Sequence, residues 1–143
     1  VTGAAPAAPH TDAVVSLLEA AGLLVGRGVQ PAGAGWQGEP GRSAHRPYVV
    51  LYPAPGLTDG TLGDTYAYLD YTVQATCVGA TQQAAERVMD AAKTALVGAR
   101  LTLANRASYA VQALLEQPAR RDDQVTPPVH YSVAQFRVRT QTA

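Results

Sequence analysis

The chain has 143 residues, 47% of them hydrophobic, with eleven basic and eleven acidic side chains and a formal net charge of zero. That length suits one domain with its own core, and the balanced charge argues against a protein that grips nucleic-acid phosphates. Cys77 is the single cysteine, which excludes an internal disulfide and a zinc site built on two thiolates.

The opening VTGAAPAAPH lacks a positively charged start and an apolar centre, so it does not read as a signal peptide. Its Ala/Pro content predicts a flexible tail over 1–10, with a single domain over 11–143. No apolar run approaches the ~20 residues of a membrane span, and no membrane partner is expected. Thr11 is placed to cap a first helix, with Asp12 in its first turn. Val14, Leu17, Leu18, Ala21 and Leu24 or Val25 recur at helical spacing until Gly26 and Gly28 stop them. Residues 29–41, VQPAGAGWQGEPG, read as a loop. Trp36 within it either packs the loop down or meets a partner. The glycines make no phosphate cradle, because neither a Lys-Ser/Thr ending nor a helix start follows them.

RPYVVLYP predicts a strand near a sheet edge, since Pro47 and Pro53 have no N–H for a ladder. YAYLDYTVQATCV predicts a strong strand with Ala67, Leu69, Tyr71, Val73, Ala75 and Cys77 on the core face. Tyr66, Tyr68, Asp70, Thr72, Gln74 and Thr76 take the other face, which is polar yet carries tyrosines. After Gly79 a second helix is expected, capped by Thr81 and closed by Gly98, with Ala84, Ala85, Val88, Ala92, Ala95 and Leu96 in its buried stripe. SYAVQALLEQ fits a helix or a strand. The alternating VHYSVAQFRVRT needs a pairing partner, so both read as strands, with PARRDDQVTPP as the loop between them. The expected fold is α+β: a mixed or antiparallel sheet of about four strands with two helices packed on one face.

Arg120, Arg121, Asp122, Asp123 and His130 lie within eleven residues and invite a catalytic reading. A second histidine or carboxylate at ligand spacing is missing, and no HExxH, CxxC, GxSxG or P-loop occurs. Adjacent aspartates before prolines read better as a solvated turn in which the carboxylates accept local backbone N–H groups. Cys77 on a core face behaves as a small hydrophobe. No catalytic, metal or cofactor-binding residue is assigned, and no enzymatic activity is expected. The tyrosines fall in or beside predicted strands. Tyr66 and Tyr68, with Asp70, lie on the polar face, where amphipathic rings suit a subunit contact.

The RPYVVLYP strand, the DYTVQATCVGATQQAAERVMDAAKTAL strand-and-helix unit and the closing RRDDQVTPPVHYSVAQFRVRT together resemble the tail terminator (tail completion) proteins of long-tailed bacteriophages and related minor tail proteins, over roughly residues 11–140. The resemblance implies a non-enzymatic virion protein that forms a homo-oligomeric ring, typically a hexamer. Such a ring caps the head-proximal end of the tail tube, stops its growth and joins the head-tail connector or neck proteins. DNA passes through its central hole without specific binding. Under that resemblance Arg120, Arg121, Asp122 and Asp123 form a charged hairpin tip, with His130 beside it, that meets a neighbouring subunit or the tube. The Trp36 loop becomes a docking element expected to order on assembly. The competing expectations are another connector component or a tail-tube subunit and, in a different class, a small α+β ligand-binding domain or enzyme.

Overall fold

The computed structural model describes residues 5–64 and 66–143. The first half holds α1 (Ala8–Ala20), β1 (Val25–Arg27), β2 (Gly35–Trp36), β3 (His45–Arg46), β4 (Tyr48–Pro53) and β5 (Leu57–Asp59). The second half holds β6 (Tyr68–Gly79), α2 (Gln82–Leu96), β7 (Arg106–Ser108), β8 (Gln112–Glu116), β9 (Arg120–Asp122) and β10 (Val129–Thr142).

The architecture follows from the two long alternating segments. Antiparallel β6 and β10 pair from Tyr68 opposite Gln141 to Gly79 opposite His130 and form the spine of the sheet. Each is longer than any single neighbour. The outer edge of β6 therefore takes β4 and then β5, while that of β10 takes β9, β8 and β7 in turn. With β1 parallel to β4, the result is a mixed eight-stranded sheet, and β2 and β3 make a separate two-stranded ladder. The α+β class stands, with two helices among the described residues, but the sheet is larger than the roughly four strands expected. The four added strands, β1, β5, β7 and β9, have three residues each, too few for alternation to register.

The core lies between one sheet face and both helices. Leu69, Tyr71, Val73, Ala75 and Cys77 of β6 and Ala134, Phe136 and Val138 of β10 pack there with Val14 and Leu18 of α1 and Val88, Ala92 and Leu96 of α2. Ala67, expected to begin the core face, precedes the strand; its carbonyl instead accepts from Thr142 N–H (3.0 Å) and the Arg106 guanidinium (3.2 Å). The turn into α2 forms as expected. Thr81 is its N-cap, accepting from Ala84 N–H at 3.1 Å, and Gly98 follows the C-cap at φ +84°. Gly79 is required by proximity: a Cβ there would lie 2.6 Å from the Ala84 Cβ and the Ala85 nitrogen.

The N-terminal expectations need correction. Helix α1 begins at Ala8, not at a Thr11 cap, with proline in its first turn, where a missing N–H costs nothing. Residues 1–4 of the expected tail lie outside the described residues. Beyond them, Ala5 and Ala7 pack against the core, and Ala8, Pro9 and His10 are helical. Thr11 is buried inside the helix, its hydroxyl 2.6 Å from that of Tyr71. The helix ends at Ala20, so Val25 belongs to a strand rather than to the helical stripe.

Candidate functional site

The expected site residues fall into two groups at opposite ends of the spine. From His130 to Arg139 along β10 is about 30 Å at the usual rise of an extended strand. At one end, Tyr68 and Asp70 sit on the sheet face away from the helices. Arg139, opposite Asp70 in the register, joins them: its Nε and one Nη donate to the two Asp70 carboxylate oxygens at 2.9 and 2.8 Å. The guanidinium carbon stands 5.0 Å from the centre of the Tyr68 ring, and Asp59 on β5 approaches the same guanidinium at 3.6 Å. A two-pronged, planar match of this kind fixes geometry as well as charge. The bond from Arg139 holds the Asp70 carboxyl below its ordinary value against an opposing effect of burial, and the same bond raises Arg139. Tyr66, expected on this face, instead lies in the turn before β6 and is exposed.

At the other end, Arg120, Arg121 and Asp122 are not in a loop: they form β9, paired with Val129, His130 and Tyr131. Alternation is invisible in three charged residues, so a strand there is stabilised by the β10 ladder rather than by its own side chains. Asp123 begins the turn and pairs with Arg121 at 2.6 Å, with both side chains well exposed. Asp122 accepts from Gln124 N–H at 3.0 Å, which is the local backbone satisfaction expected of adjacent aspartates. His130 stands between Arg121 on one side and Gly79 on the other.

Trp36 is held by its own chain. It lies in β2 opposite His45 of β3, and the two rings meet edge to face at 4.9 Å. Gln37 N–H donates to Ala44 C=O at 2.9 Å, closing the ladder around the intervening turn. The glycine segment thus folds back as a small hairpin, half-buries Trp36 and shares a cleft with Val125, Thr126 and Pro127 of the β9–β10 turn. Burial pushes the His45 imidazole below its ordinary value and keeps it neutral beside Trp36.

Sequence reasoning missed Arg139, the hub of the first group, and Arg137 beside it. Their alternation with Gln135 was visible, but their position opposite Asp70 and Thr72 depends on the β6–β10 register. It also missed a buried polar chain. The Pro6 carbonyl can only accept, so His10 Nδ1–H donates to it (2.9 Å) and His10 Nε2 accepts from the Thr140 hydroxyl (2.7 Å). Thr140 Oγ1 accepts in turn from Arg106 Nε–H at 3.1 Å. Burial lowers the His10 pKa first; the Pro6 bond opposes this and the Arg106 charge adds to it. Burial also pushes the Cys77 thiol up to about 12, far from a reactive thiolate. Among the described residues no group of three or more His, Cys, Asp or Glu side chains is placed to hold a metal ion. None of the described helices is long and apolar enough to cross a membrane.

No model of a known protein family matches the chain, and no curated protein matches it. Solved structures do. A chain of the virion of a native gene transfer agent particle superposes with a TM-score of 0.59 over 91% of this chain and 92% of that one, at 23% sequence identity. At that identity the likeness is one of fold.

Proposed function

We propose that the chain is a structural protein of a phage or phage-like virion and, more finely, a tail terminator. In this reading it is not an enzyme. Copies of it form a ring, most simply a hexamer, on the head-proximal end of the tail tube. The ring ends tube growth and presents the surface to which head-tail connector or neck proteins join, with DNA passing through its hole. Assembly takes place in the host cytoplasm and the protein remains in the tail or neck of the virion.

The observation that carries the reading is the fold shared, over nearly the whole of both chains, with a chain of a gene transfer agent virion. A fold alone does not fix a function, so the surfaces must supply the rest. Zero net charge suits a conduit that must not hold phosphates. The charged groups at both ends of the spine are engaged in ion pairs and turns rather than converging on a reacting centre. An inert Cys77 fits the same reading.

Electron microscopy of the purified protein, with and without tail tubes, tests it. A ring-sized species with a central hole that binds one end of a tube is expected. Pure protein that grows into long tubes would mark a tube subunit. A monomer at every concentration that binds a small molecule would favour the ligand-binding or enzymatic alternative.

A further inference from the structure

Among the described residues, two bare edge strands, β5 and β8, lie on opposite sides of the spine, and β7 and β9 flank β8 along the same edge of β10. Among the described residues β5 pairs only with β6, and all three of its residues are exposed; β8 pairs only with β10, and all five of its residues are exposed. A strand with one neighbour leaves half its backbone N–H and C=O groups unpaired, and proteins usually blunt such an edge with charge, proline or a covering element. Here each edge carries one carboxylate, Asp59 on β5 and Glu116 on β8, beside exposed leucines. Leu57 on β5 is 75% exposed, and Leu114 and Leu115 on β8 are 51% and 52% exposed. The third short margin is different. The Val29–Pro31 turn folds over β1, its Val29 carbonyl oxygen lying where a Cβ on Gly26 would have to go.

Charge across the uncovered face has a direction. The carboxylates stand on the β5 side, Asp59 on β5 and Asp70 on β6, and the guanidiniums on the β8 side, Arg137 and Arg139 on β10. Arg139 satisfies Asp70, and Asp59 reaches it only at 3.6 Å. Arg137 is exposed and has no ion pair among the described residues, so a carboxylate at one margin and a guanidinium toward the other remain weakly engaged.

We infer that β8 of one copy pairs with β5 of the next, continuing the sheet from subunit to subunit. The acidic margin of each copy then meets the basic margin of its neighbour, with Leu57 covered by Leu115, which lies on the same sheet face, opposite Gln135. The partner is a second copy because each margin supplies what the other lacks. A contact between two different surfaces of one chain is head-to-tail, which generates a closed ring when the rotation closes. The inference rests on the ring reading above and says which surfaces make the ring.

Leu57→Lys and Leu115→Lys test it, because both side chains are exposed and the substitutions leave the core untouched. Each variant alone should shift from ring-sized to monomer-sized in analytical ultracentrifugation while keeping the wild-type circular dichroism and melting curve. Mixed, they should form dimers and nothing larger, joined through the one intact β5 and the one intact β8. A double Leu57→Cys, Leu115→Cys chain treated with a short bismaleimide should give a covalent ladder that stops at the ring number; wild type, with Cys77 buried, should give none. If the wild type forms rings and the Lys variants do too, or if no ladder forms, the edge pairing is wrong and the ring reading stands. If the wild type is a monomer at every concentration, both fail together.

Discussion

The two faces of β6 differ sharply in burial. Leu69, Tyr71, Val73, Ala75 and Cys77 are buried at 3% exposure or less, whereas Tyr68, Asp70, Thr72, Gln74 and Thr76 on the alternate positions are half-buried without a covering layer. Both sets belong to the same backbone and the same ladder. The inner set is fixed by the helices it packs against and determines whether the chain folds. The outer set is constrained only across the sheet, by pairs such as Asp70 with Arg139, and is where selection for contact with other chains can act. Substitutions on the two faces should therefore separate folding from assembly.

The largest effect is expected on the inner face. Phe136 is 1% exposed at the centre of the core, and Phe136→Ala should cost about 3–5 kcal/mol, by lost burial and by the cavity left behind. Its neighbour Gln135 on the outer face should change stability by less than ~0.5 kcal/mol when made alanine. Denaturant unfolding measures both, and equal costs would abolish the distinction between the faces. Gly79→Ala comes next, at roughly 1–3 kcal/mol, because the added methyl meets the backbone of α2 and not a movable side chain. Thr81→Ala, which removes the cap two residues later, should cost about 1 kcal/mol.

An acid-sensitive contribution also belongs to the inner face. His10 is neutral in the fold, its pKa lowered from the ordinary 6.5 chiefly by burial, and Tyr71, Thr140 and Arg106 face it with no carboxylate among the described residues bonded to it. When the folded value is the lower one, the unfolded chain binds the proton first. Stability is therefore full above the unfolded value and falls as pH drops through 6.5, levelling off below the folded value. His45 shifts in the same direction. Unfolding midpoints measured between pH 8 and pH 5 should fall accordingly, and His10→Gln should flatten much of that fall. Asp70 has the lowered carboxyl pKa, so its share is present above the ordinary carboxyl range and is lost only as pH falls through its lowered folded value.

These contrasts also explain what could be read from the sequence. The faces of β6 and β10 and both ends of α2 were legible, because twelve or more residues of alternation and a Thr81 to Gly98 frame are local signals. Strands β1, β5, β7 and β9 were not, because three residues carry no period and pair only where a longer strand offers an edge. His10 was misplaced for a related reason. Its partner Thr140 lies 130 residues away, and nothing near His10 in the chain shows that a buried hydroxyl donor awaits it. The candidate contacts at Tyr68 and Asp70 were found on the correct face, but the arginine that organises them required the register.

The charged hairpin gives the smallest folding effect and the sharpest remaining contrast. Arg121 and Asp123 pair at 2.6 Å with side chains 60% and 73% exposed, and an ion pair this exposed contributes only ~0–1 kcal/mol because water screens it and both side chains lose freedom. Reversing Asp122 and Asp123 to lysine also removes the acceptor for Gln124 N–H, at a turn that solvent can satisfy instead. Monomer unfolding should therefore move by less than about 1 kcal/mol. Assembly responds to different physics, since like charges brought together at a contact cost far more than a lost surface pair. If β9 and its turn meet a neighbour or the tube, the double reversal should weaken ring formation or tube capping at unchanged stability, most strongly at low salt. Sedimentation and tube-capping assays at two ionic strengths measure this. An assembly profile indifferent to both the reversal and the salt would make the hairpin a solvated end of the sheet, leaving the bare β5 and β8 margins as the surfaces through which the chain meets its neighbours.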